Sequence, residues 1–275
     1  MKDKVTVTTI RQMKTEGKKI AALALYDFAM ASLADRAGVD IVLVGDSLGM
    51  TFQGEENTLK VTMDHMVYHT RAVRKGTGRA FVVADMPFMS FRLGAGRTLE
   101  NAGRLVAEGA EAVKLEGVES LIDSIKELVA AGIPVMGHLG LTPQSVHALG
   151  GFKVQGQGLE AERKLIDDAR RLEDAGAFSL VLECVPMDLG AEVSSRVQIP
   201  VIGIGAGPYC DGQVLVANDM LGLSEGHAPK FVKEYADMAT VAHDAFREYT
   251  REVRGGEYPS EKHSYASPSR RLKAL

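Results

Sequence analysis

Five apolar runs along the chain each close on an ionisable residue. They are Ile41-Val42-Leu43-Val44-Gly45-Asp46, Phe81-Val82-Val83-Ala84-Asp85, Ala112-Val113-Lys114-Leu115-Glu116, Ile133-Pro134-Val135-Met136-Gly137-His138 and Leu180-Val181-Leu182-Glu183. Runs of this kind suit strands buried on both faces. Burying an unpaired charge at the end of such a strand is costly. The pattern therefore predicts parallel strands whose C-terminal ends converge on one polar site.

Candidate strands begin near Ile20, Asp40, Phe81, Ala112, Ile133, Phe178, Ile199 and Gln213. Helical patterns lie between them. They cover Ala29 to Ala37, a helix capped by Thr62 and running to about Lys75, and another capped by Thr98 and running to Glu108. Glu119 to Ala130, Leu159 to Ala175 and Met187 to Val197 supply three more. Gly38, Gly109, Gly132 and Gly176 each stand between a helix and the next strand, where a left-handed residue ends a helix. Repeated strand–helix units favour the α/β class and a closed (β/α)8 TIM barrel over an open doubly wound sheet. In such a barrel the active site lies at the C-terminal ends of the strands. No Pro- or Ser-rich linker interrupts residues 1–254, so residues 1–258 read as one catalytic barrel domain. The last helical pattern spans Phe231 to Arg254. Residues 259–275, with Pro259, Pro268 and four serines, read as a flexible tail or one packed on a neighbouring subunit.

Alternation on the strands selects the inward residues. Lys114 and Glu116 share a face, as do Val83 and Asp85, and Val181 and Glu183, while Leu182 and Cys184 face outward. The same rule sets Asp46 with Val44. Lys114 and Glu116 alone are equally consistent with a buried ion pair that fills the barrel. Asp46 and Asp85 are each consistent with a helix cap. Three acidic residues at one mouth favour a site, because close carboxylates repel unless a proton or a cation lies between them. A hard divalent cation such as Mg²⁺ suits oxygen ligands of this kind. His138 reads as a hydrogen-bonding pocket residue, with a direct acid–base role left open. The other histidines, including the i, i+4 pair His65 and His69, have no Glu beside them as in a zinc-protease helix and read as surface residues. The loop Gly203-Ile204-Gly205-Ala206-Gly207 suits either a phosphate cradle or close backbone packing.

Composition narrows the class. With 275 residues, 45% hydrophobic and 25% charged, the chain has the balance of a globular enzyme. A net charge of −4, from 32 basic and 36 acidic residues, argues against nucleic acid or an anionic membrane as partner. No apolar stretch approaches the roughly 18 residues of a membrane helix, and Met1-Lys2-Asp3-Lys4-Val5-Thr6 lacks a signal-peptide core. Cys184 and Cys210 form no disulfide framework, which fits a reducing cytoplasm.

Longer blocks carry more specific information. VLVGDSLGM at 42–50, ADMPFM at 84–89, VKLEG at 113–117, GHLGLTPQS at 137–145, GGFKVQG at 150–156 and GIGAG at 203–207, in this order, closely resemble the ketopantoate hydroxymethyltransferase family. The resemblance runs from about Thr8 to Ser260, departing at Ala24-Leu25 before Tyr26-Asp27, at Tyr209 and at Ala217-Asn218. It implies a barrel of the phosphoenolpyruvate/pyruvate type, a cytoplasmic homo-oligomer, usually a decamer, and a Mg²⁺-dependent reaction of pantothenate synthesis. In that reaction 3-methyl-2-oxobutanoate takes a hydroxymethyl group from 5,10-methylenetetrahydrofolate, giving ketopantoate and tetrahydrofolate. By resemblance, Asp46 and Asp85 bind Mg²⁺ and Glu116 supports it. Ser47 and Lys114 hold the oxo acid beside the metal-binding Asp46 and Asp85, and Glu183 removes the C3 proton. His138 joins the substrate-binding set. A Schiff-base role for Lys114 is redundant beside a metal. Two other readings stand against this one. A related 2-oxo-acid lyase or mutase barrel would carry a Cys-containing loop motif that Cys184 and Cys210 do not supply. A non-enzymatic barrel would have lost part of the charged set.

Overall fold

The computed structural model describes residues 4–224, 226 and 229–266. Among them, strands β1 (Ile20–Ala24), β2 (Ile41–Val44), β3 (Phe81–Asp85), β4 (Ala112–Glu116), β5 (Val135–Gly140), β6 (Ser179–Glu183), β7 (Val201–Ile204) and β8 (Gly212–Val216) close into a barrel. Each strand pairs in parallel with the next, and β8 pairs with β1. Helix α1 (Val7–Thr15) precedes β1. Then come α2 (Phe28–Ala37), α3 (Leu48–Thr51), α4 (Met63–Gly76), α5 (Ala95–Ala107) and α6 (Ile122–Ala130). The chain continues with α7 (Val146–Leu149), α8 (Leu159–Asp174), α9 (Met187–Arg196), α10 (Ala217–Met220) and α11 (Met238–Gly255).

The predicted strands are all present, each starting within two residues of its expected position. Their side chains divide into two apolar layers. Ile20, Ile41, Phe81, Val83, Met136, Phe178 and Val181 fill the barrel, joined by Val5 and Ile10 from the N-terminal segment. Val42, Val44, Val113, Leu115, Leu180 and Leu182 pack outward against the helices. The apolar runs are continuous because each strand feeds both layers. Gly38, Gly109, Gly132 and Gly176 take positive φ, as their places after helices require.

Three helix starts and one side-chain direction differ from expectation. Helix α5 starts at Ala95, so Thr98 is not its cap. Thr98 is buried within the first turn, and its hydroxyl donates to the carbonyls of Phe91 and Gly94 at 3.1 and 3.0 Å. A hydroxyl serving carbonyls of the preceding loop anchors that loop and leaves the helix amides uncapped. Helix α6 starts at Ile122, past Glu119. Helix α11 starts at Met238, where Asp237 accepts the Thr240 amide. Residues from Phe231 to Asp237 are irregular, and Phe231 and Glu234 line the barrel mouth. Finally, Val44 belongs to the outer layer, so Asp46 does not reach the mouth by alternation from it. The turn at Gly45 redirects the chain. The predicted tail is described only to residue 266, and residues 267–275 lie outside the described set. The Tyr258 ring just before the tail lies 5.6 Å from Tyr249 of α11, and His263 of the tail lies 5.1 Å from that ring.

One glycine ties the fold to the site. Gly140 ends β5 with φ +85°, and a Cβ there would lie 2.1 Å from the Glu183 carbonyl oxygen. That carbonyl accepts the Leu141 amide at 2.8 Å. Gly140→Ala therefore combines left-handed strain with a backbone clash, and is expected to destabilise the protein by about 3 kcal/mol. Urea unfolding followed by circular dichroism checks it, and an unchanged midpoint would rule the clash out.

Candidate active site

Parallel register brings the charged residues together. Asp85 pairs with Lys114, Glu116 with His138, and Gly140 with Glu183. Lys114 Nζ stands 2.9 Å from Asp85 Oδ1 and 3.2 Å from His138 Nδ1. His138 Nδ1 is 3.5 Å from Glu116 Oε1, and its Nε2 is 3.2 Å from Glu183 Oε2. Asp46 is drawn in by its own amide, which donates to Asp85 Oδ2 at 3.0 Å. Neither Asp46 nor Asp85 caps a helix. Asp85 spends its carboxylate on the turn after β2, and Ser47 occupies the cap position of α3. The charged residues, His138 and Ser47 line one cavity of about 960 Å³ at the C-terminal mouth of the barrel.

The charge balance is unusual. Asp46, Asp85 and Glu116 are 3%, 2% and 1% exposed, and Lys114 is 4% exposed. Burial first, then the charges of Asp85 and Glu116, push the Asp46 carboxyl well above the usual range. Burial would also raise Glu116, but His138, Lys114 and the Gln144 amide outweigh it and hold that carboxyl low. Burial opposes the charge on Lys114, yet Asp85, Glu116 and Asp46 raise it above its ordinary value, so the amine stays an ammonium. Burial and Lys114 push the His138 ring down. Glu116 and Glu183 on either side prevail, and the ring is pushed up to about 9. The charged imidazole stands between two carboxylates, with Nδ1 on the Glu116 side and Nε2 on the Glu183 side, as ion pairs without a well-directed hydrogen bond.

These residues suit a hard cation. Asp85 Oδ1 and Glu116 Oε1 are fully buried and accept no well-directed hydrogen bond, although each has a cationic neighbour. Among the described residues no three His, Cys, Asp or Glu side chains form a complete cage. Mg²⁺ needs none, because it takes one or two carboxylates and completes its shell with water and substrate oxygens. Neighbouring buried carboxylates, Asp46 and Asp85, in the lining of one cavity fit that demand.

Several residues were not legible beforehand. Gln144, in the short 3-10 turn after β5, donates its side-chain amide to Asp46 Oδ2 at 2.7 Å and to the Met86 carbonyl at 2.9 Å. Its main-chain amide donates to Glu116 Oε2 at 3.0 Å. Tyr26 is buried, and its hydroxyl lies 2.8 Å from Ser47 Oγ and accepts from Thr51 at 3.1 Å. With Thr51 as donor, the tyrosine proton points to Ser47, which frees the serine O–H for a ligand. His69 is not a surface residue. It is buried, with Nδ1 2.7 Å from the Tyr26 carbonyl, and His65 caps α4 in company with Thr62. His147, His243 and His263 are exposed as expected, and His227 lies outside the described residues. Cys184 turns with φ +48° and lines the cavity instead of facing outward, because the left-handed residue ends the strand alternation. Burial and then Glu183 push its thiol up to about 12, so it is no nucleophile at neutral pH. The glycines of 203–207 pack on protein: a Cβ at Gly205 would meet the Phe231 ring at 2.8 Å, and one at Gly207 would meet Met187 at 2.3 Å.

A closed barrel with buried carboxylates, an ammonium and an imidazole gathered at its C-terminal mouth defines a TIM-barrel enzyme. A model of the family described as ketopantoate hydroxymethyltransferase matches residues 4–261, and the chain belongs to that family, whose work lies in pantothenate synthesis. It is similar to the 3-methyl-2-oxobutanoate hydroxymethyltransferase of Thermoanaerobacter sp. (strain X514), with 52% identity over 99% of this chain and 100% of that one. The protein of the same name from Syntrophus aciditrophicus (strain SB) is 53% identical over 95% of this chain and 97% of its own. Among solved structures, a phosphonopyruvate hydrolase covers 94% of this chain and 92% of its own at TM-score 0.58 and 18% identity. A 2,3-dimethylmalate lyase of the PEP mutase/isocitrate lyase superfamily covers 94% and 91% at TM-score 0.59 and 14% identity. At such identities these two show the shared fold alone. No helix among the described residues is long and apolar enough to cross a membrane.

Proposed function

We propose that this enzyme transfers a hydroxymethyl group from 5,10-methylenetetrahydrofolate to 3-methyl-2-oxobutanoate, with Mg²⁺ held by Asp46 and Asp85 and supported by Glu116. The observation that carries the reading is the trio of buried carboxylates beside a buried ammonium, in a chain about half identical to relatives that bear this activity's name. When bound, Mg²⁺ supplies Lewis acidity that polarises the oxo acid and acidifies its C3–H.

The side chains supply the rest. Lys114 is a compact positive charge for the carboxylate or ketone oxygen of the oxo acid, and the Ser47 hydroxyl donates to another of its oxygens. Glu183 is the base. Its side chain is 16% exposed, the most open of the site's carboxylates, and His138 Nε2 lies 3.2 Å from one of its oxygens. Water breaks the two C–N bonds that hold the one-carbon unit to the folate, releasing tetrahydrofolate with a proton on each nitrogen and leaving formaldehyde. Glu183 takes the C3 proton, the electron pair left on C3 bonds to the formaldehyde carbon, and the resulting alkoxide takes a proton to become the hydroxymethyl group. The cavity has room beyond a small oxo acid for part of the folate. Two unpaired thiols suit the cytoplasm. Helix α11 buries no residue and leaves Val241, Phe246, Tyr249 and Val253 exposed, which supports a homo-oligomer, with the decamer as its expected size.

The direct test is tetrahydrofolate release from methylenetetrahydrofolate, oxo acid and Mg²⁺, read by absorbance. Release that depends on all three is expected. Borohydride with the oxo acid is expected to trap no adduct at Lys114, because an ammonium is not a nucleophile. Trapping there would replace this mechanism with a Schiff-base aldolase.

A further inference from the structure

Gln144 is an uncharged residue that bonds two of the buried carboxylates, Asp46 through its side chain and Glu116 through its main chain. Its amide nitrogen has two neighbours within bonding distance, Asp46 Oδ2 and the Met86 carbonyl, and the carbonyl can only accept. The NH₂ group must therefore face them, which fixes the orientation of the side chain. The Oε1 oxygen is left buried without a partner. A buried acceptor without a donor weakens a fold, so the residue is poorly explained as packing. The main-chain N–H of the same residue holds Glu116 Oε2. One residue on the loop after β5 thus grips a carboxylate from the β2 turn and another from β4.

We infer that Gln144 is a positioning residue of the cation site. It engages one oxygen of Asp46 and one of Glu116 and holds each group in a single rotamer, leaving the other oxygens for the ion. The inference rests on the proposed Mg²⁺ reading and deepens it. Partners of this kind orient metal ligands, and their loss typically weakens metal affinity by about 10–100-fold. The two grips separate cleanly. A side-chain substitution removes the bond to Asp46 and keeps the main-chain bond to Glu116.

The experiment is calorimetric titration of the metal-free, full-length protein with MgCl₂. Gln144→Leu is expected to weaken binding by about 10–100-fold, with circular dichroism and the metal-free melting temperature showing that the chain is folded. Asp46→Asn supplies the specific control. If Gln144 acts through Asp46, adding Gln144→Leu to Asp46→Asn costs little further affinity, because the two effects are not additive. Wild-type affinity in Gln144→Leu, or full additivity in the double variant, overturns the inference while leaving the Mg²⁺ reading intact. Absence of Mg²⁺ binding in the wild type overturns both. Should Gln144→Leu fail to fold, Gln144→Ala repeats the titration with a smaller, unclashing side chain.

Discussion

Glu183→Gln is expected to stop solvent deuterium from entering C3 of 3-methyl-2-oxobutanoate. Wild-type enzyme with Mg²⁺ and no folate should wash deuterium in, because in the proposed reaction proton removal does not require the folate. The substitution keeps the size of the side chain and a hydrogen-bond acceptor for His138, which lies 3.2 Å from Glu183 Oε2. It removes only the basic oxygen. A positioned general base contributes about 10²–10⁴-fold, so exchange and turnover should both fall by that factor. Oxo-acid binding should change little, since Lys114 and Ser47 are untouched. Proton NMR of the oxo acid in D₂O measures the exchange. Wild-type exchange in the variant would move the base elsewhere, and His138, in contact with both Glu116 and Glu183, is the next candidate.

Asp46→Ala and Asp85→Ala are each expected to cut turnover by about 10³-fold or more, since a Lewis acid contributes several kcal/mol to such a reaction. EDTA treatment should do the same to the wild type, with recovery on added Mg²⁺. Full activity in chelated enzyme would remove the metal from the mechanism. Stability should move in the opposite direction. Asp46 holds its proton more tightly in the folded state, through burial and the neighbouring Asp85 and Glu116 charges. A carboxyl raised in this way favours the folded state most at low pH. Its contribution declines as pH rises above the unfolded carboxylate range. The metal-free Asp46→Asn protein should therefore be no less stable than wild type at neutral pH, with a flatter pH profile in denaturant titrations.

Strand positions and the inward set on β3, β4 and β6 were legible because they depend on local regularities. A strand buried on both faces must be a continuous apolar run, and a charge in it must face the side where partners exist. Hence Asp85 and Glu183 could be oriented from Val83 and Val181, two positions away, and Lys114 and Glu116 from their own shared spacing, and all four line the cavity. The same rule failed at Asp46 and Cys184. Both lie just past a strand end, where alternation has no force.

The amino-acid sequence alone determined the strand order, the barrel class and, through long shared blocks, the family. Tertiary structure decided which side chains hold the site in place. Asp46 is set by Asp85, 39 positions on, and Gln144 reaches Asp46 across 98 positions. Tyr26 acts on Ser47 from the preceding strand's loop, and His69 buries itself against the Tyr26 carbonyl, 43 positions away. No periodicity signals such contacts. Hydropathy reports how much surface a residue must lose to water, whereas the direction of a hydrogen bond is fixed only when distant segments have docked.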